Sequence, residues 1–198
     1  MRSWSAPFLA AGFVMAGLFK AMPVLDRIPI DLTGALAGAT VVLIGLRVAR
    51  DQIPPQVHGV LLAFALLIPA ALLGSGSEYA TDKILRLFTI TLLATLAPIL
   101  LIRNENDVEK HLWALTAFCA VVTAAGVVNP EPSGEYAGAP ISAEGIDTIA
   151  LGECAGLVLV VVALALMWRR IPWLVGVPVG GAAVYVLLQS GSRGPLVA

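Results

Sequence analysis

Four charged side chains stand in this sequence where a charge is hard to place: Lys83, Arg86, Glu153 and Arg193. Arg193 lies in Ser190-Gly191-Ser192-Arg193-Gly194-Pro195, a polar, kinked sextet that interrupts a long apolar stretch. A guanidinium keeps its charge at physiological pH, so at the end of an apolar segment it marks either a headgroup anchor or an anion site. Lys83 and Arg86 are one helical turn apart, which puts both on one helix face. Glu153 is the one acid set well inside an apolar segment, where a carboxylate needs a partner or a wet cavity.

The local sequence gives these cations an anion-binding context. Thr81 or Asp82 can cap a helix that opens at Lys83, directing its N-terminal amides and positive dipole end toward the same side as the two cations. Gly191 can end the helix before it, Ser192 can cap a following one, and Pro195 fits a first turn. Two helix N-termini with three cations suit a phosphate or pyrophosphate group. The competing readings are structural. Lys83 and Arg86 can snorkel to lipid headgroups, Lys83 can pair with Glu78 or Asp82, and Glu153 can bridge to Arg86 or Arg193.

Other chemistries lack their residues. Cys119 and Cys154 sit in apolar stretches without a CxxC or Cys/His spacing, so they read as small buried hydrophobes. His58 and His111 fall at helix ends away from the cations and read as interfacial polar residues. No metal-ligand cluster, HExxH, GxSxG, P-loop or dinucleotide fingerprint occurs, and neither a metal nor a cofactor is expected. The formal net charge of −1 offers no basic face to nucleic acid.

The elements that must position these residues are membrane helices. The chain of 198 residues is 59% hydrophobic and 13% charged, with a mean hydropathy of +0.91, which is a polytopic membrane composition. At about 20 residues per span, the hydropathy divides it into about seven helices. They are expected at Trp4 to Met22, Leu32 to Val48, Val57 to Leu73, Lys83 to Ile102, Leu112 to Val128, Ile149 to Trp168 and Ile171 to Gln189, with no strand. Lys20-Ala21-Met22-Pro23 is a poor cleavage site, so the first span is expected to stay attached. The whole of 1–198 reads as a single all-α transmembrane domain.

Lys and Arg set its orientation. With a cytoplasmic N-terminus, Arg2, Arg47, Arg50, Arg103, Lys110, Arg169 and Arg170 fall inside, whereas Lys20, Arg27, Lys83, Arg86 and Arg193 fall outside. The 129–148 loop contains four acids and no cation, as an extracytoplasmic loop should. Gly34/Gly38, Gly152/Gly156 and Gly176/Gly180 each put two glycines on one face, where neighbouring helices can approach closely.

Leu187-Leu188-Gln189-Ser190-Gly191-Ser192-Arg193-Gly194-Pro195-Leu196-Val197-Ala198 resembles the Ser-Arg-Gly signature of the O-antigen ligase and O-antigen polymerase superfamily. Ile28-Pro29-Ile30-Asp31-Leu32-Thr33, Lys83-Ile84-Leu85-Arg86-Leu87-Phe88 and Gly145-Ile146-Asp147-Thr148-Ile149-Ala150-Leu151-Gly152 are similar to further family stretches in the expected order. The resemblance implies a GT-C-like glycosyltransferase in the bacterial inner membrane. Such an enzyme moves a glycan from a polyprenyl diphosphate carrier to a lipid or glycan acceptor on the outer face, without a metal. Arg193 would bind the diphosphate, with Lys83 and Arg86 as secondary contacts. Many relatives carry a basic residue where this chain has Glu153. The family's large outer loop, with its catalytic histidine, follows the Ser-Arg-Gly element, so the chain resembles the N-terminal portion of a longer protein, and the catalytic residues are expected downstream. The alternative is a transporter or flippase fragment with Glu153 as coupling carboxylate. Pro69, Pro98 and Pro178 fall within spans, but the matched interrupted helices of a transporter are not evident.

Overall fold

The computed structural model describes residues 5–20, 31–50, 53–74, 76–132, 140–143 and 146–191. Among them are seven helices: α1 (Ser5–Lys20), α2 (Leu32–Val48), α3 (Pro55–Gly74), α4 (Glu78–Leu101), α5 (Glu105–Val128), α6 (Thr148–Met167) and α7 (Trp173–Gln189). The fold is all-α, as expected. Helices α3 to α6 are each long and apolar enough to cross a membrane, whereas α1, α2 and α7 are apolar but shorter. The 17 residues of α2 and of α7 make rods about 25 Å long, at the lower limit for a span. On α3, Leu62, Leu66, Leu72 and Leu73 are all exposed. A helix that is apolar all round and largely uncovered suits a hydrocarbon surrounding, where its backbone bonds satisfy themselves.

The chain divides into two compact units, residues 1–16 with 30–112, and residues 17–29 with 113–198. In the first, Ala6, Ala10 and Phe13 of α1 pack with Ala97 and Leu101 of α4, flanked by Leu36, Ala37, Leu43 and Ile44 of α2. The alanines of α1 recur every fourth residue, and such small side chains let helices approach closely. Two polar contacts tie helix ends in this unit. Arg47 Nη1 donates to the Leu101 carbonyl at 2.7 Å, satisfying one of the orphan acceptors at the end of α4. His111 Nδ1 lies 3.0 Å from the Pro7 carbonyl, and Phe64 meets Phe88 edge-to-face at 6.1 Å between α3 and α4.

The second unit is built on the α6/α7 hairpin. Arg169 takes a left-handed conformation at φ 54°, and the amides of Arg169 and Arg170 return to the carbonyls of Leu166 and Ala165, the paired bonds of a Schellman termination. Gly176 then lies so close to α6 that a Cβ there would sit 2.5 Å from Leu166 Cδ2, and one at Gly180 would lie 3.8 Å from Val162 Cγ1. This is the close approach expected of that glycine pair. The Gly34/Gly38 pair behaves otherwise: a Cβ at Gly38 would meet open space, and one at Gly34 only Asp31 of its own helix end.

Three expectations are corrected. Helix α4 starts at Glu78, not Lys83, because Ser77 caps it by accepting from the Ala80 amide at 3.1 Å. Helix α5 likewise begins at Glu105 instead of Leu112, with Asn104 Oδ1 accepting from the Asp107 amide at 2.9 Å. In both, a charged first turn extends the helix beyond the apolar segment, and hydropathy registers only the segment. Within the 129–148 loop, β1 (Pro130–Pro132) and β2 (Ile141–Ala143) form a short antiparallel ribbon, with Glu131 opposite Ser142, where no strand was expected.

Candidate functional site

Lys83 and Arg86 project from α4 about one turn apart, but not from its N-terminus. Lys83 is the sixth residue of the helix, about 7.5 Å along the axis from its start. The amides at that start are served by Ser77, and Glu78 already places a carboxylate in the first turn. The dipole contribution expected from a cap at Thr81 or Asp82 is therefore absent at these cations. Arg86 Nε instead pairs with Asp82 Oδ2 at 2.9 Å, with both side chains about half exposed or more. The Lys83 ammonium stands 5.3 Å from the centre of the Tyr79 ring. Glu78, Asp82, Lys83 and Arg86 thus form a formally neutral, exposed cluster, in which an added anion would compete with Asp82 for Arg86.

Just beyond this cluster α4 changes its winding. Leu87–Thr91 is π-helical, and the Leu92 amide returns to the Leu87 carbonyl five residues back. Thr89 Oγ1 donates to the Leu85 carbonyl at 2.7 Å and Thr95 Oγ1 to that of Thr91 at 2.8 Å, supplying hydroxyls to a backbone ladder that the wider turn disturbs. Hydropathy carries no signal for this feature. The two threonines four residues after those carbonyls were its only trace in the sequence.

Arg193 lies outside the described residues, together with Ser192 and Gly194 to Ala198. The approach to it is described. Helix α7 ends at Gln189, Ser190 is buried with its hydroxyl donating to the Leu187 carbonyl at 3.0 Å, and Gly191 is left-handed at φ 62°. This is the glycine termination the sequence suggested. Pro140, at the entry to β2, closes over it: a Cβ on Gly191 would lie 3.2 Å from Pro140 Cγ. The 129–148 loop and the end of α7 therefore meet on the same side of their unit.

Glu153 is exposed, in the second turn of α6. The helix start is fixed by Asp147, whose Oδ1 accepts from the Ala150 amide at 2.7 Å. No salt bridge to Glu153 is found among the described residues. On the other side of the same turn, Cys154 is buried and its thiol is hydrogen-bonded to that of Cys119 from α5. The two cysteines are buried as expected, and their pairing is a tertiary fact that their spacing of 35 residues could not show. His58 is exposed on α3, and among the described residues no group of three or more His, Cys, Asp or Glu side chains converges on a metal-sized site. Comparison with protein-family models, with curated proteins and with solved structures finds no match to this chain.

Proposed function

We propose that this chain is the donor-binding part of a multi-pass, GT-C-like glycan ligase or polymerase in the bacterial inner membrane, with its N-terminus cytoplasmic. It would take an oligo- or polysaccharide from a polyprenyl diphosphate on the outer face and pass it to a lipid or glycan acceptor. The observation that carries the reading is the elbow at Ser190 and Gly191, buried at one residue, left-handed at the next and covered by Pro140. It is a built turn at the mouth of the Ser-Arg-Gly element, two residues before Arg193, and it adjoins the acid-rich loop assigned to the outside. An arginine held there would stabilise the charge that glycosyl transfer leaves on the diphosphate. Lys83 and Arg86 are secondary contacts in this scheme, Arg86 through the Nη edge that its Nε pairing with Asp82 does not use.

Glycan transfer in cells expressing the protein tests the proposal. Arg193→Lys keeps the charge and loses the fork, Arg193→Ala loses both, and activity should fall in that order at equal expression. Lys83→Ala and Arg86→Ala should cost less. Wild-type transfer by Arg193→Ala would reduce Arg193 to an interfacial anchor. The transporter reading draws on one observation, the exposed Glu153 in an apolar helix, without a salt bridge among the described residues. A loss of substrate movement in Glu153→Gln, with transfer chemistry unaffected, would favour it.

A further inference from the structure

In the second unit, two thiols that the donor chemistry leaves unused meet inside the helix packing. Cys119 of α5 and Cys154 of α6 are each 3% exposed, and their thiols are hydrogen-bonded to each other. The surroundings are apolar. Val122 and Gly126 follow Cys119 along the buried face of α5, and Leu151, Ala155 and Val158 flank Cys154 on that of α6. The Gly126 to Leu151 approach holds the same two helices close. Sulfurs in hydrogen-bonding contact stand one short approach from a bond of about 2.05 Å.

We propose that Cys119 and Cys154 form a redox-closable pair, which a small peroxide joins into a disulfide that staples α5 to α6. The apolar setting selects both product and oxidant. A disulfide is neutral, whereas two thiolates around a monovalent soft metal ion would bring a net negative charge into the helix packing. A charged or bulky oxidant such as oxidised glutathione has no path to sulfurs this deeply covered, but a peroxide is uncharged and little larger than water. One cysteine sulfur attacks a peroxide oxygen, the O–O bond breaks, and the leaving oxygen departs as water with the thiol proton, giving a sulfenic acid. The second sulfur, already in contact, attacks the first; the S–S bond forms and the hydroxyl leaves as water with the second thiol proton. Two thiols and one hydrogen peroxide thus give a disulfide and two waters. A waiting partner traps the sulfenic acid before it oxidises further, while the burial of both thiols keeps the reaction slow. The bond would close the 35-residue spacing into a loop and tie together the two helices that carry the 129–148 segment. Pro140 of that segment covers Gly191, so the staple also restrains the cover of the α7 elbow. None of the donor-site residues takes part, and the pair does not depend on the donor-binding proposal.

Thiol counting on the full chain in neutral detergent tests this. After reduction, the protein is exposed to hydrogen peroxide or to oxidised glutathione, then denatured and labelled with maleimide, and the cross-link is sought by peptide mass spectrometry. Peroxide should remove both labels together, with a Cys119–Cys154 cross-link that dithiothreitol reverses, and oxidised glutathione should act at least tenfold more slowly. Cys119→Ser and Cys154→Ser should show no reversible cross-link within the chain. The peroxide-treated wild type should melt roughly 5–10 °C above its reduced form, a shift absent from Cys154→Ser treated alike. Two labels surviving a peroxide exposure that oxidises the denatured chain, or irreversible oxidation of each cysteine without a cross-link, would overturn the pair. A cross-linked form that melts no higher than the reduced one would show a bond foreign to this packing and overturn the staple. Equal rates with peroxide and oxidised glutathione would overturn the choice of oxidant.

Discussion

Replacing Gly126 by alanine probes a close approach between α5 and α6. A Cβ at Gly126 would lie 2.9 Å and 3.1 Å from the two methyls of Leu151, and Leu151 is fully buried at 0% exposure. Carbon contacts are favourable near 3.5 to 4.0 Å, so Leu151 or the helices must shift by roughly 0.5 to 1 Å. Overpacking of this kind costs about 1–3 kcal/mol. Alanine offsets part of that, since it is better than glycine in a helix interior by about 1 kcal/mol. The net expectation is a destabilisation of about 1 kcal/mol, or roughly 2–4 °C in melting temperature for a chain of this size. Gly181 provides the control: it lies mid-helix in α7 and its Cβ would meet nothing within 4 Å, so Gly181→Ala should be neutral or stabilising. The double variant Gly126→Ala/Leu151→Ala should show favourable coupling of roughly 0.5 kcal/mol or more, because the smaller side chain vacates the space the new methyl needs. Thermal unfolding in detergent, followed by circular dichroism, measures the wild type, the two glycine variants, Leu151→Ala and the double variant. Equal shifts for Gly126→Ala and Gly181→Ala, or strict additivity in the double variant, would refute the packing argument.

Two further outcomes are expected. In a cysteine-free background, an impermeant maleimide applied to intact cells should label a cysteine at Ser133 and miss one at Trp168, since the 129–148 loop has no cation and Trp168 precedes Arg169 and Arg170; the reverse pattern inverts the topology and removes the donor-site reading with it. In the native sequence, Cys119 and Cys154 should resist maleimide until the protein is denatured, because both thiols are buried. Rapid labelling of either under folded conditions would contradict the α5/α6 packing.

Composition and hydropathy by themselves determined that the described chain is helical and apolar and where most helices end. The ends of α2, α3, α5, α6 and α7 lie within about two residues of the expected ones. This follows because the backbone of an apolar segment without hydrogen-bonding solvent closes on itself as a helix, and that rule needs no partner. The starts of α4 and α5 were misjudged because a capped polar turn is written in Ser77 and Asn104, outside the apolar run. The sequence also named Gly191 as a helix terminator, since only a left-handed residue ends a helix there so tightly. Tertiary structure alone decided which charges act together. It set Arg47 on the Leu101 carbonyl beside Arg103. Likewise it brought Cys119 to Cys154 and chose Gly176 over Gly38 as a contact glycine. Each of these depends on the rotation of one helix against its neighbour, a quantity that a helix apolar on every side leaves unwritten.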